Sequence, residues 1–179
     1  LDQERLARQL HGYNPWWTGR KRGVPPFRRV AFHRCIAALR RQATGRRAIV
    51  LSGPRRVGKS TVLSQIAAEL LKSADAKSIV YLSLDDNLLK LIPLRDILAL
   101  YREAVLPEGQ PAYLLIDEIH YAAGWDQELK SLIDHHPEYR IVATGSSSLN
   151  RHTVGAHAGV GRWDVIPIPT LSFYEFLDI

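Results

Sequence analysis

The sequence predicts a three-layer α/β fold, in which a parallel sheet of about five strands is covered by helices on both faces. Three observations lead to this prediction. Short apolar runs alternate with segments of helical periodicity, a glycine-rich loop joins the first of these runs to a helix, and a later run ends in two carboxylates. Because ligands of such sheets bind at the carboxyl ends of the strands, we expect the loop and the carboxylates to share one edge.

The individual elements follow from the spacing of apolar residues along the chain. In the first part of the chain, the pattern predicts a helix at 1–11, a turn-rich segment at 12–19, an irregular basic linker at 20–29 and a second helix at 31–42. The remainder predicts five strands and three helices: strands at 48–51, 78–84, 112–116, 140–144 and 165–168, and helices at 61–71, 94–106 and 126–136.

Two adjacent tryptophans, Trp16 and Trp17, stand in the turn-rich segment. They could stack on a nucleic-acid base, or they could pin the N-terminal arm to the surface of the domain. We favour pinning, because tryptophan buries a large apolar area while its N–H finds a partner.

Charge divides the chain unevenly. Residues 1–60 carry 15 Lys and Arg against 2 Asp and Glu, a net charge of +13, whereas residues 61–179 carry 9 against 16, a net charge of −7. Residues 1–30 are interpreted as an N-terminal arm and basic linker, and 31–179 as one α/β domain. The basic residues within 20–56 could bind DNA or an acidic protein partner. A solvated surface is the interpretation we favour, because blocks of charge are weak evidence for a specific partner.

Several classes of protein are disfavoured by composition. No stretch approaches the roughly 18 apolar residues of a membrane span, and the N-terminus lacks the apolar core of a signal peptide. The lone Cys35 excludes an intramolecular disulfide framework, so we expect a cytoplasmic protein. The chain has no methionine and begins at Leu1, from which we expect it to be a piece of a longer protein.

The glycine-rich loop fits the pattern G-x-x-x-x-G-K-[ST], which binds the phosphates of nucleotides. Glycines let backbone N–H groups converge on phosphate oxygens, and the following helix directs its positive end at the same place. The lysine would reach the β- and γ-phosphates, and the serine hydroxyl would bind Mg²⁺. The alternative is a glycine-rich turn that caps an ordinary helix. The predicted phosphate-binding residues are Gly53, Pro54, Arg55, Arg56, Val57, Gly58, Lys59, Ser60 and Thr61.

The carboxylate pair, Asp117-Glu118, lies about 60 residues beyond the loop, at the end of an apolar strand. Asp117 is predicted to hold Mg²⁺, directly or through water, and Glu118 to act as the general base for the attacking water. A predicted strand and helix separate the loop from this pair, which indicates a P-loop NTPase of the additional-strand, catalytic-glutamate type. The other acidic pair, Asp85-Asp86, is more consistent with a turn.

Five segments together resemble a prokaryotic AAA+-like ATPase family, whose members carry an N-terminal ATPase domain followed by a separate C-terminal domain. They are GPRRVGKST, YLSLDD, LLIDEIHYAAGWDQELK, RIVATGSSS and GVGRWDVIPIPTLSFYEF. The resemblance implies ATP and Mg²⁺ as ligands. It also implies Thr144 as the polar sensor of the γ-phosphate, with Ser146 as the alternative. Arg162 stands where the family places an arginine finger, which could act on a neighbouring subunit of a homo-oligomer; the alternative is a surface arginine on a loop. The family's helical lid would lie beyond Ile179, so we expect the lid domain to be absent and hydrolysis by this fragment to be weak.

Three functions are compatible with these motifs. The leading prediction is Mg²⁺-dependent binding and hydrolysis of ATP. The alternative is a nucleotide-operated switch or DNA-binding module with weak turnover. A small-molecule phosphotransferase shares the phosphate loop, but the Asp117-Glu118 pair favours activation of water instead.

Overall fold

Five parallel strands form one sheet in the order β2-β3-β4-β1-β5. The computed structural model describes residues 3–41, 47–146 and 161–177. The strands are β1 (Ala48–Ser52), β2 (Ile79–Ser83), β3 (Ala112–Asp117), β4 (Tyr139–Gly145) and β5 (Trp163–Pro167). The fold class predicted from the sequence is therefore confirmed.

Strand β4 lies between β1 and β3 and is hydrogen-bonded to both. Its register places Gly145 beside Ser52 of β1 and Ala143 beside Ile116 of β3. The loop that follows β1 and the carboxylates that follow β3 thus flank the end of β4. The predicted additional-strand arrangement is therefore present, although the strand between the two motifs is β4 and the strand that separates them in sequence, β2, lies at the sheet edge.

Six α-helices accompany the sheet in the described residues: α1 (Gln3–Tyr13), α2 (Val30–Arg41), α3 (Lys59–Leu70), α4 (Leu94–Ala104), α5 (Trp125–His135) and α6 (Phe173–Leu177). Short 3₁₀ helices lie at Pro15–Thr18, Ala76–Ser78, Leu89–Leu91 and Ile119–Tyr121. None of the helices in this part of the chain is long and apolar enough to cross a membrane.

The predicted boundaries hold to within two residues, and the structure adds one helix that was not predicted. Helix α3 begins at Lys59 rather than residue 61, so Lys59 and Ser60 belong to its first turn. Strand β5 begins at Trp163 rather than residue 165. Helix α6 was not predicted, because it has only five residues and its exposed apolar side chains show no helical periodicity.

The sheet separates two apolar clusters, as the alternation of side chains along strands requires. On one face, Val80, Leu114 and Ile141 pack against α1, α4 and α5. On the other face, Leu51 and Leu115 pack against α2 and α3. The strands are buried on both faces, which explains their nearly continuous apolar sequence.

The N-terminal arm (residues 3–22) covers the free edge of β2. The indole N–H groups of Trp16 and Trp17 both donate to the backbone carbonyl of Ile79, at 2.9 Å each. The side chain of Asn14 bonds both backbone polar groups of Tyr81. The prediction that the tryptophans pin the arm is confirmed, and the arm protects an edge that would otherwise expose unpaired backbone groups.

A buried arginine, Arg29, joins three segments that are distant in sequence. Its guanidinium donates to the carbonyls of Val57 in the glycine-rich loop (2.8 Å) and of Pro169 after β5 (3.0 Å). It also forms a two-pronged ion pair with Glu175 of α6, at 2.8 and 3.0 Å. Because the planar guanidinium satisfies its donors in fixed directions, Arg29 sets the loop and the C-terminal segment relative to each other.

The Arg29–Glu175 pair predicts a pH dependence of stability. Hydrogen bonding from Arg29 lowers the pKa of Glu175 from 4.5 to about 2. A carboxylate with a lowered pKa stabilises the fold above its unfolded pKa, and that contribution is lost as the pH falls through the folded value. Between pH 4.5 and 2, we expect wild type to lose about 1–3 kcal/mol more unfolding free energy than Glu175→Gln.

Urea unfolding at several pH values measures this difference. Glu103→Gln, at an exposed carboxylate of α4, is the control and should follow the wild-type curve. Parallel acid profiles of wild type and Glu175→Gln would contradict the role given to this pair.

Candidate functional site

The loop between β1 and α3 adopts a conformation that depends on glycine at two positions. A Cβ atom on Gly53 would lie 2.2 Å from the carbonyl oxygen of Ile168, so no other residue fits without a backbone shift. Gly58 has a φ of 89°, in the left-handed region that favours glycine. Arg56 has a φ of 64°, which is rare for a residue with a side chain and indicates local strain.

Lys59 lies at the centre of the site and is only 4% exposed. Its ammonium group donates to the carbonyls of Gly53 (3.2 Å) and Pro54 (2.9 Å), and lies 3.6 Å from a carboxylate oxygen of Glu118. The lysine is therefore hydrogen-bonded to carbonyls of its own loop, and the oxygens of a bound anion could take the place of these carbonyls as acceptors. Ser60, the next residue, is exposed in the first turn of α3.

Asp117 is the buried acid of the site, with 3% exposure. One oxygen, Oδ1, accepts a hydrogen bond from the hydroxyl of Thr144, and the other, Oδ2, accepts one from the hydroxyl of Tyr81 at 2.9 Å. Burial, together with the charge of Asp117, raises the pKa of Tyr81, so this phenol remains a hydrogen-bond donor. The carboxylate is thus held from both sides by neutral hydroxyl groups.

Glu118 has a different environment from its neighbour. Its backbone is left-handed, with a φ of 52°, and its N–H donates to the hydroxyl of Thr144 at 2.9 Å. Its side chain is directed between Lys59 and the Nδ1 of His120, at 3.6 and 3.3 Å. Left-handed non-glycine residues cluster at functional sites, where surrounding contacts impose them.

Thr144 is therefore the connecting residue of the site. It is fully buried in β4, the strand between the loop and the carboxylate pair, and its hydroxyl bonds both Asp117 and Glu118. The structure brings together Lys59, Asp117, Glu118 and Thr144, which were all predicted as site residues.

A cavity of about 400 Å³ opens beside the loop, against its outer side. Its apolar wall includes Phe27, Val57, Val62 and Leu171. The amide of Gln65 on α3 donates to the carbonyls of Pro25 (2.8 Å) and Phe27 (2.6 Å), which fixes the basic linker as one side of the cavity. This volume is within the usual range for a small-molecule pocket.

A family model described as an AAA domain matches residues 45–177. The chain belongs to this AAA domain family. Family and fold together support nucleotide binding and ATPase activity at the level of the family.

Two curated relatives support the assignment but cover the chain only in part. An uncharacterized protein of Methanocaldococcus jannaschii is 39% identical over 103 residues, which are 56% of this chain and 22% of that protein. A second, from Haemophilus influenzae, is 33% identical over 131 residues, which are 72% of this chain and 32% of that protein. The chain thus spans about a fifth to a third of the length of these relatives.

Solved structures of three proteins share the fold of the AAA domain. Caenorhabditis elegans PCH-2 is similar with a TM-score of 0.55 and 20% identity, over 80% of this chain and 43% of that one. The ORC2 protein of Aeropyrum pernix has a TM-score of 0.56 and 13% identity, over 89% and 53%. DnaA of Aquifex aeolicus has a TM-score of 0.53 and 16% identity, over 82% and 48%. At these identities the likeness shows the fold alone.

The oxygen donors of the AAA domain fit a magnesium ion. Mg²⁺ prefers carboxylate and hydroxyl oxygens and retains several waters or phosphate oxygens as ligands. Asp117 is a buried carboxylate for which no ion pair is formed within the part of the chain that the structure describes. The same residues contain no group of three or more His, Cys, Asp or Glu placed to hold a metal. The donor set therefore suits an ion held jointly by the protein and a nucleotide.

Arg162 lies apart from this site. It immediately precedes β5, so it stands at the amino-terminal edge of the sheet, opposite the loop. Its guanidinium pairs with Asp134 of α5 at 3.0 Å. The structure does not bring Arg162 to the site of its own chain, and its predicted action on a neighbouring subunit stays a prediction.

The remaining polar predictions have mixed outcomes. Asp86 has the turn-forming role that we favoured, because its carboxylate accepts the backbone N–H groups of Leu88 (2.8 Å) and Leu89 (3.1 Å). Ser146 follows β4, and its carbonyl oxygen lies 3.5 Å from the Ser52 hydroxyl. Ser147 and Ser148 of the RIVATGSSS segment lie outside the described residues.

Part of the basic charge between residues 20 and 56 is used within the domain. Arg28 pairs with Glu69 at 3.1 Å, and Arg47 pairs with Asp164 at 3.2 Å. Arg29 is buried, and Arg55 donates to the hydroxyl of Tyr121 at 2.9 Å. These contacts reduce the charge available to DNA or an acidic partner, and that partner stays a prediction.

Sequence reasoning did not find Tyr81, Arg29 or His120 as parts of the site. Tyr81 falls within a predicted strand, Arg29 within the basic linker, and His120 within the segment LLIDEIHYAAGWDQELK. Tyr81 and His120 lie in segments that carry the family resemblance, but no local pattern distinguishes either residue within its segment, or Arg29 within the linker.

The hydrogen bonds of Thr144 predict a measurable effect on stability. Thr144→Val keeps the side-chain volume but leaves the N–H of Glu118 and one oxygen of Asp117 without this partner. We expect a loss of about 1–3 kcal/mol in unfolding free energy, whereas Thr144→Ser should retain most of it. Urea unfolding of both variants tests this, and equal stabilities of the Val and Ser variants would refute it.

Proposed function

We propose that this AAA domain binds ATP with Mg²⁺ and hydrolyses it. The observation that carries the proposal is the convergence of four side chains at one sheet edge. Lys59 begins α3, Thr144 is the penultimate residue of β4, and Asp117 ends β3. Glu118 follows Asp117 and lies only 3.6 Å from Lys59. A cation, a hydroxyl and two carboxylates with different environments are the groups that phosphoryl transfer to water requires.

Binding of the triphosphate would use the loop and the first turn of α3. The backbone N–H groups around Gly58 and the positive end of the helix attract phosphate oxygens. Lys59 would exchange its bonds to the carbonyls of Gly53 and Pro54 for bonds to phosphate. The apolar wall of the adjacent cavity, with Phe27 and Leu171, suits the nucleobase.

Hydrolysis would depend on the unlike environments of the two carboxylates. Asp117 is buried and held by two hydroxyls, which suits a fixed metal ligand, together with the hydroxyl of Ser60. Glu118 is partly exposed, and its carboxylate lies beside Lys59 and His120 at the open side of the site, so an attacking water could reach it and pass it a proton. A bound magnesium ion supplies neutralisation of phosphate charge. Thr144 links the two carboxylates and would sense a ligand near either.

Two of the similar structures support this proposal in a limited way. The ORC2 protein was solved in complexes with ADPNP and ADP, and DnaA was solved with AMPPCP. Adenine nucleotides therefore bind to domains of this fold, which favours ATP as the ligand of this chain.

Variants at Lys59 and Glu118 separate binding from turnover. We expect Glu118→Gln to bind a fluorescent ATP analogue as tightly as wild type while phosphate release falls about 10²–10⁴-fold, because only the general base is lost. Lys59→Ala should lose binding itself. Glu103→Gln, a carboxylate away from the site, should behave as wild type in both assays.

The same measurements decide against the alternatives. Normal turnover by Glu118→Gln would refute the general-base role. Tight Mg²⁺-dependent binding by wild type, without any phosphate release, would favour the nucleotide-operated switch over the ATPase. Absence of nucleotide binding by wild type would refute the proposal entirely.

The position of Arg162 leads us to propose that it completes the site of a neighbouring subunit. We expect Arg162→Ala to reduce turnover about 10³-fold or more, as loss of an arginine finger does. Mixing Arg162→Ala with Glu118→Gln should restore activity, because some composite sites then contain both an intact base and an intact arginine. Arg95→Ala, at an exposed arginine of α4, is the control. Inactive mixtures, or full turnover by Arg162→Ala alone, would contradict the proposal.

A further inference from the structure

The backbone of Tyr81 is fixed by the N-terminal arm. Asn14 is completely buried, and its side-chain oxygen accepts the N–H of Tyr81 at 2.6 Å while its amide donates to the Tyr81 carbonyl at 3.0 Å. Both backbone groups of Tyr81 point away from β3, toward the free edge of β2. Asn14 therefore takes the place of a sixth strand at this one residue.

The side chain of Tyr81 is directed at the metal-binding acid. Tyr81 pairs in register with Leu115, so Asp117 lies two residues further along β3 on the same face of the sheet. The phenol is 3% exposed, and its hydroxyl donates to Oδ2 of Asp117 at 2.9 Å. A single residue thus links the arm to the carboxylate.

Other contacts of the arm reinforce this position. The guanidinium of Arg22 lies over the ring of Tyr81, 4.9 Å from its centroid, and the ring of Tyr13 lies 6.1 Å away. The hydroxyl of Tyr13 and the amide of Gln9 both donate to Asp86, at 3.0 and 2.7 Å, just beyond the end of β2. The arm therefore holds β2 at several points near the carboxyl edge of the sheet.

We propose that Tyr81 is a positioning residue for the magnesium ligand Asp117, and that the N-terminal arm controls this position through Asn14. The inference rests on the proposed function. With Thr144 on one oxygen and Tyr81 on the other, the carboxylate is held in one orientation, and each oxygen keeps a lone pair for an ion or its water. Release of the arm would free Tyr81, and with it the metal ligand.

Tyr81→Phe tests the first part, because it removes one hydroxyl and keeps the ring. Loss of a hydrogen bond to a metal ligand typically weakens metal affinity about 10–100-fold. We expect this decrease for Mn²⁺ in the presence of ADP, measured by electron paramagnetic resonance, and a matching rise in the Mg²⁺ concentration needed for half-maximal hydrolysis. Nucleotide affinity in EDTA should be unchanged.

Tyr101→Phe is the matched control. Tyr101 is also a buried tyrosine whose hydroxyl donates a hydrogen bond, in this case to the carbonyl of Lys77 at 2.7 Å, far from the loop. Its loss should lower thermal stability without changing metal affinity. Equal Mn²⁺ affinities for wild type and Tyr81→Phe, or equal losses in both variants, would overturn the positioning role.

Asn14→Ala tests the control by the arm. We expect it to weaken Mn²⁺ affinity in the wild-type background but to have little further effect in Tyr81→Phe, because both act through one contact. If Asn14→Ala does not fold, Arg22→Ala serves the same purpose, because Arg22 is the arm residue that covers one face of the Tyr81 ring. Additive effects in the double variant would refute control through Tyr81. If wild type itself binds no nucleotide, the proposed function fails. If wild type binds nucleotide but Tyr81→Phe has wild-type metal affinity, only the positioning role of Tyr81 fails.

Discussion

The hydroxyl of Thr144 is the contact on which the geometry of the site depends. It donates to Asp117 and accepts the backbone N–H of Glu118, and it can do both only because β4 lies between β1 and β3. A parallel sheet brings the carboxyl ends of its strands to one edge, so the strand order alone decides which end residues are neighbours. Because β4 lies between β1 and β3, the loop after β1 and the carboxylates after β3 are separated by one strand. Thr144 lies on that strand, between the loop and the carboxylates.

Buried charge gives the rest of the site its form. Lys59 is satisfied by carbonyls of its own loop, and Arg29 by carbonyls of two segments and by Glu175. Because a charge removed from water must be paired or hydrogen-bonded, these two residues hold the loop in shape without a ligand. Asp117 differs, since the groups that bond its carboxylate are the neutral hydroxyls of Thr144 and Tyr81. In the proposed function, Mg²⁺ bound together with the nucleotide would be the cation that pairs with Asp117.

The N-terminal arm connects edge protection with the chemistry of the site. An exposed edge strand is usually covered to prevent pairing with other chains, and here the cover consists of single side chains rather than a strand. Asn14 and the two tryptophans bond backbone groups of Ile79 and Tyr81, the alternate residues of β2 whose backbone polar groups point to the free edge. One of those residues is Tyr81, whose side chain bonds Asp117. The same residue of β2 therefore contacts both the arm that covers the edge and the carboxylate of the site.

The sequence by itself determined the fold class and the element boundaries, and it singled out four residues that the structure brings together at one sheet edge. These features depend on local patterns: the spacing of apolar residues, the G-x-x-x-x-G-K-[ST] loop, and carboxylates at a strand end. Tertiary structure decided the contacts between distant segments, such as Arg29 with Glu175 and Tyr81 with Asp117. It also showed that Arg162 faces the opposite edge of the sheet from the loop, and that several basic residues are paired internally. Local patterns could not reveal these contacts, because each joins residues between 36 and 146 positions apart, whose meeting depends on strand order and packing.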